Sequence, residues 1–362
     1  MRRALALAGR GRGRVEPNPM VGAVIVKAGR IVGEGFHRRF GGPHAEVEAI
    51  AVAGKRAKGA TLYVTLEPCC HWGKTPPCTD AVMAAGIGRV VVAMIDPFAR
   101  VRGRGAAILR KAGIAVSVGL LEEEARELNA AFITRIEKGR PYVIAKWAQS
   151  ADGCIATASG ESKWISSEES RAWVHRLRGR VDGILVGIGT VLKDDPLLTA
   201  RNGRTGRIAT RIVLDAECRL PVDSQLVRTV AEAPVLVVCG ERLSKAAEGR
   251  RRTLAARGVM THQVPAGGKG GLDLGRLLSH LAAMEYTHVL VEGGASVLGS
   301  LFGADLVDEV HVFVAPLIIG GRGALHAVGG ADIRALSEAR GLRVADVKRS
   351  GVDVHLAFRR RF

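Results

Sequence analysis

The stretch HAEVEAIAVAGKRAKGATLYVTLEPCCHWGKTPPC, His44 to Cys78, decides how the rest of the chain is read. HAEVEAIAVAG has apolar positions at helical spacing and Gly54 as a stop, so it reads as a helix beginning near Gly42-Pro43. ATLYVTLEPC is a β-branched run ending at Pro68 and reads as a buried strand. CTDAVMAAG is a short helix closed by Gly86. His44 therefore begins one helix, Cys69 ends a strand and Cys78 begins the next helix. One imidazole and two thiolates fill three positions of a zinc tetrahedron, and catalytic sites keep the fourth for water. A helix start favours the thiolate of Cys78, which makes it a better ligand than Cys70. Glu46, in the first helical turn, points into the same pocket without ligating and is placed to shuttle a proton.

Working outward, 362 residues with 47% hydrophobic content predict two domains with sizeable cores. No apolar run reaches the ~18 residues that span a bilayer. The N-terminal MRRALALAGRGRGRVEPNP is too broken by arginine for a signal peptide, so a cytoplasmic protein is expected. Cysteines stand at 69, 70, 78, 154, 218 and 239, three clustered and three scattered. That usage fits a reducing compartment with one metal cluster, and Cys154, Cys218 and Cys239 read as small core residues. The net charge of +18 is spread along the chain, with only 12 lysines among 53 basic residues, which reads as arginine bias. Aromatic content of 4% supplies few stacking platforms for a single-stranded nucleic acid. A phosphorylated small substrate and a dinucleotide suit a basic protein equally well.

Residues 20–38 read as a β-hairpin turning at Lys27-Ala28-Gly29-Arg30. RVVVAMID is a second buried strand, and GRGAAILRKAG, AVSVG and a long helix LEEEARELNAAFITRIEKG complete an α/β layer domain. Its charge run Glu122, Glu123 and Glu124 suits a helix start without further function. The pattern stops at Gly139-Arg140-Pro141, which places one domain at 1–140 and a second α/β domain at 141–362. Strands expected in the second are PYVIAKWAQS, GILVGIG, RIVLD, PVLVVC, HVLVEGG, EVHVFVAPLIIGG and VHLAFRR, with helices at SEESRAWVHRLRG and LDLGRLLSHLAAM.

Zinc deaminases of nucleobases carry H-x-E followed by P-C-x-x-C, with the glutamate as proton shuttle. HAE and Pro68-Cys69 match, but eight residues separate Cys69 from Cys78 instead of two. With PNPMVGAVIV (17–26), PHAEVEAI (43–50) and TLEPCCHWGKTPPC (65–78), the chain resembles the bifunctional riboflavin-biosynthesis deaminase–reductases, which have this longer loop. The resemblance implies a cytidine-deaminase-like three-layer domain in which His44, Cys69 and Cys78 bind one Zn2+ and Glu46 moves protons. It also implies substrate contacts at Asn18, His71, Lys74 and Thr75. Cys70 and Trp72 replace more usual polar residues of that loop, and MRRALALAG begins a few residues short of the family's usual start.

In the second half, a Rossmann GxGxxG is missing: GIGTVL (187–192) has two of its glycines. VLVEGGASVLGS (289–300) runs a buried strand through Gly293-Gly294 into a helix, an arrangement that offers free N–H groups to an anion. AKWAQSADG (145–153), ASGESKWIS (158–166), GIGTVLKDDPLLTAR (187–201) and VEGGASVLGSL (291–301) extend the resemblance to the reductase half. The resemblance implies that this half is dihydrofolate-reductase-like and binds NADPH without the Rossmann motif. The resemblance implies cofactor contacts at Ala148, Trp164, Thr190, Asp194, Gly294, Ala295, Ser296, Val297, Leu298, Gly299 and Ser300. It implies substrate contacts at Ser162, Arg178, Leu198, Arg201 and Glu292, the arginines being suited to a phosphate. Lys146 and Asp194 are the candidate polar groups for positioning or proton delivery.

The function expected is deamination of a diaminopyrimidinone ribosylamine phosphate followed by NADPH-dependent reduction of its ribosyl group to ribityl, on a homo-oligomer acting on small molecules. Two other readings stand beside it. A nucleic-acid base deaminase with an unrelated appended domain predicts salt-dependent binding to RNA or DNA. A non-catalytic zinc-stabilised binding protein predicts stoichiometric zinc without turnover.

Overall fold

In β1 (Gly22–Lys27), alternate residues serve opposite faces, and the first half of the molecule is layered around that alternation. The computed structural model describes every residue except 202–206, 268–270, 331 and 361–362. The chain divides into two compact units, Met1–Gly139 and Arg140–Phe362.

In the first unit β1 pairs with β2 (Arg30–Phe36) through a turn in which Ala28 and Gly29 both have positive φ, matching the twist of the strands. With β3 (Thr61–Leu66), β4 (Arg89–Met94) and β5 (Ala115–Val118) the sheet order is β2-β1-β3-β4-β5. β1 runs antiparallel to β3, whereas β3, β4 and β5 are parallel. On one face Ala23 and Ile25 cluster with α2 (Ala45–Ala53), α3 (Cys78–Ala84) and α4 (Arg104–Lys111) through Ala45, Ala49, Val82 and Leu109. On the other, Val24 meets Ala4 and Leu7 of α1 (Arg2–Ala8), and Met94 meets Ala125 of α5 (Glu122–Leu128). A Cβ on Gly35 would lie 2.4 Å from the Ala45 carbonyl, so this strand has to present glycine where α2 begins.

The run expected to be one helix, LEEEARELNAAFITRIEKG, is instead α5 and α6 (Ala130–Lys138), broken at Asn129. The Asn129 side chain accepts from Met20 N (2.8 Å) and donates to Met20 O (3.0 Å). This clasp with a residue 109 positions away holds the chain out of helical conformation at that point.

The second unit contains β6 (Tyr142–Ser150), β7 (Cys154–Ala156), α7 (Glu168–Arg178), β8 (Gly183–Gly187), α8 (Ile188–Asp194), β9 (Thr210–Leu214), α9 (Gln225–Arg228), β10 (Val235–Gly240) and α10 (Lys245–Ala256). It continues through β11 (Met260–Val264), α11 (Leu274–Ala283), β12 (His288–Glu292), α12 (Ala295–Gly303), β13 (Glu309–Ala315), β14 (Leu325–His326), β15 (Leu342–Ser350) and β16 (Asp353–Arg360). The large sheet has the order β11-β10-β9-β8-β12-β6-β13-β16-β15, parallel as far as β13 and antiparallel beyond it. GILVG, VLVVC and HVLVE are continuous apolar runs because helices bury both faces of the parallel part. β15, with Val344 and Val347 exposed on a charged edge strand, lacks that signal and is not legible as a strand. Buried Arg140 forks onto Asp308 at 2.5 and 2.8 Å, and Asp308 also accepts from Val143 N, so β6 is locked to the turn before β13. Among the described residues no helix is long and apolar enough to cross a membrane.

β13 and β16 carry an acid-sensitive group. Burial and the facing His311 draw His355 down to about 4 from 6.5. Glu309 is held at about 2: burial opposes this, but the bond and charge of His311 and the charge of Arg359 prevail. Both groups bind more protons unfolded than folded over these ranges, so stability contributed above pH 6.5 is lost as pH falls through 4 and then 2. We expect the urea midpoint of the second unit to fall between pH 7.5 and pH 5, and His355→Gln to flatten that slope. A midpoint independent of pH over this interval would contradict the assignment.

Candidate active sites

His44 occupies the N-cap of α2 in extended conformation, which turns its ring off the helix. Cys69 follows Pro68 at the end of β3, and Cys78 is the first residue of α3 after Pro77. The donor atoms of His44, Cys69 and Cys78 all lie within 4.8 Å of one another. His44 Nδ1 is 3.2 Å from Cys78 Sγ and 3.5 Å from Cys69 Sγ, while its Nε2 faces Thr75 Oγ1 at 3.5 Å. Cys78 N donates to Cys69 Sγ at 3.3 Å. The Cys69 thiol is drawn down to about 4, chiefly by the Cys78 thiol that donates to it, and His44 is raised by its bond to Cys69. Cys78 is correspondingly pushed up by sharing its proton with Cys69 and by burial. One nitrogen and two sulfurs at this spacing match zinc's preferred donor set.

Glu46 lies beside these donors, 3% exposed, with Oε2 lacking a hydrogen-bond partner. Burial first, then the negative Cys69, raises it to about 7. A carboxyl held near neutrality can take up and release a proton at working pH.

Asn18 reaches the centre through a residue that sequence reasoning missed. Its amide donates to His37 Nε2 (3.2 Å), His37 Nδ1–H donates to Pro43 O (3.0 Å), and the His37 ring meets His44 edge-on at 5.4 Å. His37 stands at the end of a strand with no motif around it, so spacing offered no signal. His71 has a buried Nδ1 without a partner, and its ring centroid is 5.9 Å from that of Phe98. The Lys74 ammonium sits 3.9 Å from the Phe40 ring centroid. In the same loop Trp72 is 74% exposed, and Cys70 donates its thiol hydrogen to Arg100 O at 3.8 Å.

In the second unit the connections from β8 and β12 diverge: α8 leads toward β9 and α12 toward β13. Such a switch point opens a crevice at the carboxyl ends of parallel strands. Here a Cβ on Gly294, at the N-cap of α12, would lie 3.6 Å from Thr190 Oγ1 of α8, and one on Gly293 would meet nothing within 4 Å. Two adjacent helix starts with open glycine backbone suit the phosphates of a dinucleotide. In the run expected to contact the cofactor, Gly294, Ala295, Ser296 and Val297 lie at the helix start. Leu298 is different: its side chain is 1% exposed within the apolar core. Gly299 packs against the Gly329 carbonyl, 2.1 Å from where its Cβ would be, and Ser300 Oγ bonds back to Ser296 O.

Lys146 and Glu292 are register partners on β6 and β12, with Nζ 3.8 Å from the carboxylate. Arg178 forks onto Glu292 at 2.5 and 3.0 Å and donates to Thr199 O at 3.2 Å. Arg178 was expected to offer its fork to a phosphate; in this structure the fork pairs with Glu292. Arg201 is exposed, its backbone N 3.2 Å from His175 Nδ1. Burial, then the charge of Arg178, lowers Lys146, with Glu292 opposing. Glu292 ends up lowered because Arg178 and Lys146 outweigh its burial.

Asp194 is not part of this group: it closes α8, paired with Lys163 at 3.9 Å. Trp164 is 70% exposed, with the Arg171 guanidinium 4.7 Å from its ring centroid. Ala148 is half-buried on β6 beside Phe313, Ser162 lies in the segment before α7, and Leu198 is buried with positive φ.

Residues 1–94 match the cytidine and deoxycytidylate deaminase zinc-binding region, and residues 141–356 match the RibD C-terminal domain. The chain is 46% identical over 360 residues to riboflavin biosynthesis protein RibD of Aquifex aeolicus, covering 99% of this chain and 97% of that protein. The structure of Acinetobacter baumannii RibD, form 1, superposes with a TM-score of 0.86 at 37% identity, covering 100% of this chain and 98% of that one. A diaminohydroxyphosphoribosylaminopyrimidine deaminase/5-amino-6-(5-phosphoribosylamino)uracil reductase from Thermotoga maritima matches with a TM-score of 0.82 at 38% identity, covering 100% and 97%. Similarity of this extent through both units places the chain in the RibD family of riboflavin biosynthesis proteins.

Proposed function

We propose that the chain catalyses two successive steps of riboflavin biosynthesis. The first unit hydrolytically deaminates 2,5-diamino-6-(5-phosphoribosylamino)pyrimidin-4(3H)-one. The second reduces the ribosyl group of the resulting 5-amino-6-(5-phosphoribosylamino)uracil to ribityl with NADPH. The observation that carries the reading is the cluster of three donors within 4.8 Å beside a buried Glu46 whose Oε2 is unpartnered.

His44, Cys69 and Cys78 would hold zinc, which when bound supplies Lewis-acid activation of water. Glu46 takes a proton from the attacking water and returns it to the departing amine, a cycle for which a pKa of about 7 is suited. Asn18, fixed by His37, together with His71, Lys74 and Thr75, seats the pyrimidine and its phosphate. Glu46→Gln is expected to reduce ammonia release by roughly 10²–10⁴-fold. Zinc content by elemental analysis, and NADPH oxidation with the deaminated substrate, should stay unchanged. Full ammonia release by this variant would remove Glu46 from the mechanism.

In the second unit Thr190 and the start of α12 cradle the cofactor phosphates, with Ala148, Trp164 and Asp194 along the same binding surface. NADPH, when bound, would supply hydride to C1′. The bond from C1′ to the ring oxygen breaks, and Lys146 protonates that oxygen as it becomes the C4′ hydroxyl. Glu292, preset by Arg178, orients the lysine, while Ser162, Leu198 and Arg201 hold the substrate, Arg201 taking its phosphate. Lys146→Met should lower the reductase kcat by roughly 10²-fold or more. Its KM for NADPH and its ammonia release should match the native enzyme, and an unchanged kcat would count against Lys146 as proton donor.

The substrates are free phosphorylated pyrimidines, and the basic charge serves their phosphates and those of NADPH, not a nucleic acid. The enzyme works in the cytoplasm as a homo-oligomer. Supporting self-association, Val344 and Val347 of edge strand β15 are 61% and 57% exposed, and a sheet edge that ends in an unpaired strand can take a further strand. Sedimentation should show a species larger than the monomer that dissociates in Val347→Lys; a native monomer at micromolar concentration would overturn this.

A further inference from the structure

Glu67 belongs neither to the ligand set nor to the proton path, yet it is 2% exposed and its carboxylate is saturated with backbone donors. Oε2 accepts from Gly103 N (2.8 Å) and Asp96 N (3.3 Å), and Oε1 accepts from Ala106 N (2.9 Å). Gly103 is the N-cap of α4 and Ala106 its third residue, so the carboxylate caps the helix start, where unpaired N–H groups favour an anion. The approach is close from the neighbouring residue as well. A Cβ on Gly105 would lie 2.1 Å from Pro68 O, so α4 has to present glycine there. Glu67 and Pro68 therefore pin α4 and the segment 96–103 to the strand end that delivers Cys69. The same segment faces the ligand loop at two further points, Phe98 against the His71 ring and Arg100 O accepting from Cys70 Sγ.

We propose that Glu67 is a positioning residue for the deamination: through its three backbone bonds it holds segment 96–103 as the pocket wall opposite the loop of His71, Lys74 and Thr75. It acts on how the substrate seats and touches neither metal nor substrate. An amide at this position keeps the volume but turns an NH2 group toward backbone N–H donors, which breaks at least one bond and leaves a buried donor unpaired.

The test is steady-state deamination by Glu67→Gln and, as a perturbation from the other partner, Gly105→Ala. Both should raise KM for the diaminopyrimidine ribosylamine phosphate roughly tenfold, the equivalent of one such lost buried bond. Within each variant kcat should stay within about threefold of native, well under one such bond's worth of barrier. Zinc should remain at one per chain, and NADPH oxidation by the same polypeptide should be unaltered. Native kinetics with only a lowered melting temperature would overturn the proposal, because Glu67 would then be merely structural. Loss of zinc would also overturn it, since Glu67 would be acting through the ligands. The proposal rests on the deaminase reading, and the two fail differently: absence of ammonia release from native protein rejects that reading, whereas native KM in Glu67→Gln rejects this one alone.

Discussion

His44, Cys69 and Cys78 reach one point from a helix N-cap, a strand end and a helix start, and their donor atoms are brought within 4.8 Å of one another. That convergence constrains the first unit more than any other contact. For His44 to stand there, α2 has to lie against β2, which is why Gly35 faces the Ala45 carbonyl. For Cys69 to stand there, β3 has to end at Leu66, before Pro68, with Glu67 turned back to hold α4. The core beneath, from Ala23 and Ile25 to Ala45 and Ala49, is built of small residues that let helix and sheet come close.

The second unit solves a different problem with buried charge. Lys146, Glu292 and Arg178 stand together where the parallel strands end, and each is acceptable there only because the others are present. The carboxylate between two cations stays ionised despite burial, and the lysine is eased toward its neutral form by burial and by Arg178. The crevice between β8 and β12 arises from topology, because the chain leaves those neighbouring strands in opposite directions. Glycines at the mouth of that crevice leave room for a ligand where side chains would fill it.

The elements most readily read in advance were those whose signal is local. Continuous apolar strands such as GILVG and VLVVC, and the hairpin turn at Ala28-Gly29, advertise themselves in a few neighbouring residues. The break at Asn129 did not, because its cause is a clasp with Met20 on another element. Edge strand β15 was hidden by its own exposure, since a strand with solvent on much of its surface mixes valine with arginine, aspartate and lysine. Leu298 was drawn toward the cofactor by its place in a motif, but helical rotation carries it to the core side.

By itself the sequence determined the chemistry available: the residue types His, Cys, Cys and Glu at spacings that require a strand end between two helix starts, and a glycine pair between a buried strand and a helix. Local propensity and chain order are enough for that. The tertiary structure alone decided the partners. It put His37 between Asn18 and Pro43, closed the fork of Arg178 on Glu292, brought the Cys78 backbone N–H onto the Cys69 sulfur, and gave Glu67 three backbone donors from α4 and its approach. Each of these is a contact between residues distant along the chain. Its energy depends on burial and on angstrom-scale distance, and neither is written in the order of the residues.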